Sequence, residues 1–127
     1  MIQFRPGREV VVVGVGLHPF GRFPDSDLAS LARHAVMEAL VDGGIKWPDI
    51  PVAYFGHVYY QGVSVGETAL AALGLTGIPI INVENACSSG STAFWQAYWG
   101  VTTGMFDVAL AFGAEKVPSG PVTVTAS

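Results

Sequence analysis

The spacing of apolar residues along the chain predicts alternating strands and helices. A continuous β-branched run at 10–15 predicts a buried first strand. Over 28–40, apolar residues recur at i, i+3 and i+4, which predicts an amphipathic helix. Ser26 or Asp25 is suited to cap its start, and Gly43 with Gly44 is suited to end it.

The second half of the chain continues this alternation. Ser64 and Glu67 have the S-x-x-E spacing of a capping box, and Pro79 can occupy the first position of a strand. The predicted elements are, in order, a strand at 52–60, a helix at 68–73, a strand at 80–83, a helix at 88–104 and a strand at 107–112. The order β-α-β-α-β-α-β predicts one α/β domain over 1–127 with a mostly parallel sheet and right-handed crossovers.

The helix predicted at 88–104 carries no charged residue on any face, which is typical of a helix enclosed on all sides. Only 13% of the chain is charged, and between Ile50 and Phe106 the charged residues are Glu67 and Glu84 alone. We therefore expect another protein layer or a partner subunit to cover this region. A well-buried parallel sheet is the alternative explanation. We interpret the chain as one part of a larger unit, since its final residues, VTVTAS, have no cap, tail or charge.

Composition excludes several classes of function. A net charge of −4 with six Lys and Arg leaves no basic surface for nucleic acid. One cysteine cannot form an internal disulfide, and the longest uncharged run, 85–106, holds too many polar residues to span a membrane. The N-terminus lacks the order of a secretory signal, so a cytoplasmic location is expected.

Cys87 is the candidate catalytic residue. It lies in NACSSGS, between a predicted strand and the start of a predicted helix. Free amide groups and the helix dipole at that point favour an anion, so a thiol there loses its proton more easily and an oxyanion can be held nearby. A buried structural cysteine is the alternative.

A thiolate mechanism also needs a proton shuttle, usually histidine. Of the three histidines, His34 is predicted on the solvent side of the first helix, and structural roles are favoured for His18 and His57. None of them has metal-ligand spacing, so no metal is expected. The base for Cys87 is not evident in the chain.

Two segments resemble the thiolase superfamily. They are GIPIINVENACSSGST at 77–92 and DVALAFGAEK at 107–116. The opening VGVG and PFGR are similar to the sterol-carrier-protein-x, or lipid-transfer-protein, type of thiolase, an acetyl-CoA acetyltransferase-like branch. The resemblance covers nearly the whole chain and corresponds to the N-terminal half of a family member.

The resemblance implies a fold of two similar α/β halves with the cysteine helix between them. It implies that Cys87 takes the acyl group from a 3-ketoacyl-CoA and passes it to coenzyme A, a substrate and not a bound cofactor. The peptide N–H of Cys87 would form part of an oxyanion hole. Catalytic histidines and a second cysteine would belong to the other half, and a homodimer would pair the strands near Ile80 and Glu84.

The sequence leaves three other functions open. Some lipid-transfer-type relatives are retro-aldol lyases that act on β-hydroxyacyl-CoA with an OB-fold partner, although their cysteine loop is degraded and 85–92 here looks intact. Ketosynthase activity is a second option, because Ala86-Cys87-Ser88-Ser89 resembles that branch too, whereas Glu115-Lys116 favours thiolase. A non-catalytic thiolase-like subunit, or one completed by a second chain, is the third.

Overall fold

The computed structural model describes residue 5, residues 7–117 and residues 119–120. The helices are α1 (Leu28–Gly43), α2 (Val65–Ala71) and α3 (Ser89–Thr102), with a 3-10 turn at Trp47–Asp49. The strands are β1 (Ala53–Gly56), β2 (Ile80–Val83) and β3 (Leu110–Gly113).

The three strands form one parallel sheet in the order β2-β1-β3. Ala53 of β1 pairs in register with Ile80 of β2 and with Leu110 of β3. All four residues of β1 are buried, because the central strand is covered on both faces. The predicted α/β class and parallel sheet are confirmed.

Alternation along β1 divides the core between the two faces of the sheet. Phe55 packs with Leu28 and Ala32 of α1 and with Val65 and Ala69 of α2. On the other face, Tyr54 packs with Ala93 and Ala97 of α3. Helix α3, which follows Cys87 in the chain, therefore covers the face of the sheet opposite to α1 and α2.

The predicted first strand is wrong. The run at 10–15 is not a strand in the described part of the chain, and Val11, Val12, Val13 and Val15 are each more than half exposed. The backbone N–H of Val15 donates to Asp42 Oδ2 and that of Leu17 to Glu38 Oε2, so helix α1 provides the acceptors that a neighbouring strand would otherwise offer.

Glycine makes this approach to α1 possible. A Cβ at Gly14 would lie 2.2 Å from Ala39 O, and one at Gly16 would lie 2.1 Å from Ala35 O. No larger residue fits between the segment and the helix backbone. The segment therefore packs directly against the backbone of α1.

The caps at the starts of the helices differ from those predicted. Asp27, not Ser26 or Asp25, caps α1, whereas Gly44 ends this helix with φ 64, as predicted. Ser64 precedes α2 but forms no capping hydrogen bond through its side chain. Asn82 replaces it, because Asn82 Oδ1 accepts from Gly66 N at 2.7 Å.

The strand at 80–83 is confirmed at its predicted bounds, whereas the other two strands differ. The strand predicted at 52–60 covers only Ala53–Gly56, and the last strand runs from Leu110 to Gly113. Among the described residues, no helix is long and apolar enough to cross a membrane. The predicted VTVTAS terminus lies outside the described residues.

Helix α3 is buried on the face that contacts the sheet, where Ser89, Ala93, Ala97, Gly100 and Thr102 lie. Phe94 and Trp95, on the opposite face, are 55% and 58% exposed. Helix α3 is thus buried only towards the sheet, and the described residues place no layer over its outer face. The predicted enclosure on all sides is not seen among them, and a covering layer stays a prediction.

Candidate active site

Cys87 lies in the turn that joins β2 to α3, and its side chain is exposed. Ser88 is the N-cap residue of α3, and Ser89 is the first helical residue. The predicted position, between the end of a strand and the start of a helix, is confirmed. Among the described residues, Cys87 is therefore not part of the buried core.

Hydrogen bonds anchor the turn on both sides of the cysteine. Ala86 N donates to Glu84 Oε1 at 2.8 Å, and Ser88 N donates to Asn85 O at 3.0 Å. Asn85 Nδ2 donates to Thr92 Oγ1 at 3.0 Å, one turn into the helix. The amide of Cys87 lies between two amides that are already engaged.

Ala86 adopts φ 47, in the left-handed region that residues other than glycine rarely occupy. The hydroxyl of Ser89 hydrogen-bonds to both Asn85 and Ala86, on either side of this φ angle. Ser89 Oγ accepts from Asn85 N at 2.8 Å and donates to Ala86 O at 2.8 Å. Ser89 N also donates to Ala86 O, at 3.1 Å.

The start of α3 is in backbone contact with the end of β1. A Cβ built at Gly56 would lie 2.8 Å from both the carbonyl carbon and the oxygen of Ser89, and 2.9 Å from Gly90 N. Only glycine permits this approach, which places the first turn of α3 directly against the carboxyl end of the sheet.

Glu115 organises the loop that follows β1. Its carboxylate accepts from the amides of Val58, Tyr59 and Tyr60 at 2.7, 2.9 and 2.7 Å. Next to it, Lys116 Nζ donates to the carbonyl oxygens of Phe23 and Ser26. The pair therefore binds two loops to the chain just after β3.

The sequence model of the family described as "Thiolase, N-terminal domain" matches residues 10–126. The chain belongs to this family. Bovine sterol carrier protein 2 is 42% identical over 117 residues, which cover 91% of this chain and 22% of that protein. The benzoylsuccinyl-CoA thiolase subunit BbsB of Thauera aromatica is 42% identical over 111 residues, covering 86% of this chain and 28% of that protein.

The fold of this thiolase N-terminal domain is also that of solved structures. The priming β-ketosynthase from the R1128 polyketide pathway superposes with a TM-score of 0.67 at 16% identity, covering 80% of this chain and 40% of that one. The domain spans less than a third of the two relatives named above, at 22% and 28% of their lengths.

The rings of the three histidines in the thiolase N-terminal domain contact residues outside the cysteine turn. His34 is exposed on α1 as predicted, and its ring meets that of His18 at 4.8 Å. His57 stacks on Phe55 at 5.3 Å, on the α1 and α2 face of the sheet. Within the described residues, no histidine hydrogen bond reaches Cys87, and no group of three or more metal-ligating side chains occurs.

The roles of Ser89 and Glu115 were not evident from the sequence. Ser89 was one of several small residues after the cysteine, and Glu115 was only part of a family-like ending. The available signal for Glu115 was its position in a charged pair, Glu115-Lys116, just after an apolar strand. The carboxyl ends of parallel strands meet at one edge of the sheet, so a charged residue there lies close to the loops that follow the other strands.

Proposed function

We propose that this domain supplies the nucleophile of an acyl-CoA acyltransferase of the thiolase type, and that the nucleophile is Cys87. The acyl donor is a 3-ketoacyl-CoA of lipid or sterol side-chain metabolism, and the acceptor is free coenzyme A. The observation that carries the proposal is the exposed thiol immediately before the first turn of α3, in a chain of this family.

The position suits the chemistry. The start of a helix carries about half a positive charge, which stabilises a thiolate and the oxyanion formed when it attacks a carbonyl. Sulfur attack on the C3 carbonyl forms a thioester with Cys87, and the C2–C3 bond breaks. The departing acetyl-CoA takes up a proton at C2, and the thiol of a second coenzyme A then displaces the acyl group and restores the cysteine. We assign an oxyanion contact to the Cys87 amide.

The proton transfers are assigned to groups outside this chain. His57 is the histidine that follows the central strand, yet its ring stacks on Phe55, which packs against α1 and α2 and not against α3. In this proposal the domain supplies the nucleophile and the anion-stabilising amides, and another part of the polypeptide or a second chain supplies the acid and base.

The choice of substrate rests on the relatives and on the intact cysteine turn. One relative is named as a benzoylsuccinyl-CoA thiolase subunit, which indicates a coenzyme A thioester, and others are named sterol carrier protein 2. The acyltransferase is preferred over a retro-aldol lyase because Cys87 is exposed in a well-bonded turn.

We further propose that the complete protein is a homodimer paired through β2. β2 is an edge strand in the described part of the sheet, and the residues at 80–82 are all at least partly exposed. An edge strand offers unpaired amide and carbonyl groups to a second copy. Sedimentation analysis should show a dimer that Ile81→Pro converts to monomer, and a monomeric parent protein would contradict this assignment.

The experiment for the catalytic role uses the complete protein as encoded, with acetoacetyl-CoA as the donor. Incubation without free coenzyme A should add an acetyl group to the peptide containing Cys87, detected by mass spectrometry. Cys87→Ala should abolish both labelling and turnover, and Ser91→Ala, at an exposed position on α3, should preserve them.

Full turnover by Cys87→Ala would refute the proposed function. Dependence on coenzyme A separates the two enzyme classes, because thiolysis consumes a second coenzyme A and a retro-aldol cleavage does not. Cleavage of a β-hydroxyacyl-CoA without free coenzyme A would identify the lyase.

A further inference from the structure

We infer that Ser89 is the positioning residue of the cysteine turn, holding Ala86 in its left-handed conformation so that Cys87 is presented at the start of α3. The inference rests on the proposed role of Cys87 as nucleophile. It adds a specific function for a side chain that does not itself touch the substrate.

Ser89 is almost fully buried, with 3% of its surface exposed, although its neighbours from Glu84 to Ser88 are all exposed. Its hydroxyl both accepts from Asn85 N and donates to Ala86 O, each at 2.8 Å. One side chain thus closes both ends of the peptide segment that precedes Cys87. Water has little access to replace it.

The segment needs such a clamp because Ala86 has φ 47. An alanine in this region is unfavourable relative to ordinary backbone, so the conformation persists only where surrounding contacts enforce it. Relaxation of Ala86 to negative φ would rotate the peptide that joins it to Cys87. The amide and the sulfur of Cys87 would then change their orientation relative to the start of α3.

Ser89 is itself fixed relative to the sheet. Its carbonyl group packs against Gly56 at the end of β1, where a Cβ would approach to 2.8 Å. The backbone of Ser89 is therefore held against the end of β1, while its hydroxyl hydrogen-bonds to the cysteine turn. The Ser88 hydroxyl also donates to Asn85 O, at 3.0 Å, but Ser88 is exposed, and this bond reaches Asn85 alone, whereas Ser89 bonds to both Asn85 and Ala86.

The test measures steady-state thiolysis of acetoacetyl-CoA by the complete protein, together with the rate at which iodoacetamide alkylates Cys87, located by peptide mass spectrometry. Ser89→Ala should lower kcat by about ten- to a hundredfold with KM near the parent value, because displacement of a reacting group by about 1 Å has that effect. Alkylation of Cys87 should slow in parallel. Ser91→Ala is the matched control and should change neither quantity.

A rescue variant distinguishes positioning from general packing. Glycine adopts positive φ without penalty, so adding Ala86→Gly to Ser89→Ala should restore part of kcat and of the alkylation rate. Should Ser89→Ala fail to fold by circular dichroism, Ser89→Thr and Ser89→Val decide the question. Their side chains have the same shape, and only threonine keeps the hydroxyl and is expected to retain activity.

Parent-like kcat and alkylation in Ser89→Ala would overturn the inference, and so would a loss that Ala86→Gly does not relieve. Equal activities of the threonine and valine variants would also overturn it. These results differ from failure of the proposed function, in which Cys87→Ala itself would remain active.

Discussion

Gly56→Ala tests the contact that seats the cysteine helix on the sheet. The added Cβ would lie 2.8 Å from Ser89 C and O and 2.9 Å from Gly90 N, all of them backbone atoms that cannot rotate away. Ordinary van der Waals contact begins near 3.4 Å, so β1 and the start of α3 would have to separate by about 0.6 Å. Overpacking of this kind costs about 1–3 kcal/mol.

Urea unfolding and steady-state thiolysis measure the effect of Gly56→Ala in the complete protein. Urea unfolding should show a lower midpoint with an unchanged slope, corresponding to a loss of about 1–3 kcal/mol. Thiolysis should fall by about tenfold or more, because the turn that carries Cys87 moves with the helix start. A larger effect on kcat than on KM would locate the change at the reacting group.

Gly62→Ala is the matched control, since a Cβ there would meet Val65 Cγ2 at 3.4 Å, an ordinary contact with a side chain. Its stability should stay within about 0.5 kcal/mol of the parent protein. If Gly56→Ala unfolds at the same urea concentration as Gly62→Ala, the close backbone contact between β1 and α3 is not present in solution. Unchanged turnover in a destabilised Gly56→Ala would show that the helix start does not control Cys87.

Two further predictions concern carboxylates. Glu115→Gln should accelerate hydrogen exchange of the amides at 58–60 by about fivefold, because hydrogen bonds to a charged acceptor are stronger than neutral ones by about 1 kcal/mol. Unchanged exchange would show that the Glu115 carboxylate does not hold these amides. Hydrogen bonds from the Ser30 hydroxyl, and next from the Ser30 amide, lower the pKa of Asp27 from the ordinary value of an aspartate. The ionised Asp27 therefore stabilises the fold above its unfolded-state pKa and loses this effect as pH falls through its folded-state pKa. Asp27→Asn should reduce the acid sensitivity of the urea midpoint, and equal acid sensitivity would contradict the assignment.

The sequence predicted those element ends that are set by residues at the end itself. Pro79 marks the start of a strand whose predicted bounds, 80–83, agree with the structure, and Gly44 ends α1 through its left-handed conformation. The cysteine turn was located because a strand and an apolar helix flank it. Each of these features is encoded within a few residues.

Features that depend on distant contacts were not predictable in the same way. The valines at 10–15 have a strand pattern, but carboxylates of Asp42 and Glu38 bind nearby amides, and this pairing has no local signature. The S-x-x-E spacing indicated a capping box, whereas Asn82 on β2 accepts from Gly66. The role of Ser89 was hidden because it requires the positive φ of Ala86.

The three tryptophans occupy three different environments, so intrinsic tryptophan fluorescence can report on changes at the outer face of α3. Trp47 is buried, and its indole donates to Gly74 O at 2.9 Å. Trp95 is 58% exposed on the outer face of α3, with the half-buried Trp99 ring 5.8 Å away. Acrylamide should quench the fluorescence of Trp95 selectively. A polypeptide that binds to the outer face of α3 should shift the emission of Trp95 to shorter wavelength and leave that of Trp47 unchanged, so binding can be followed without an attached dye.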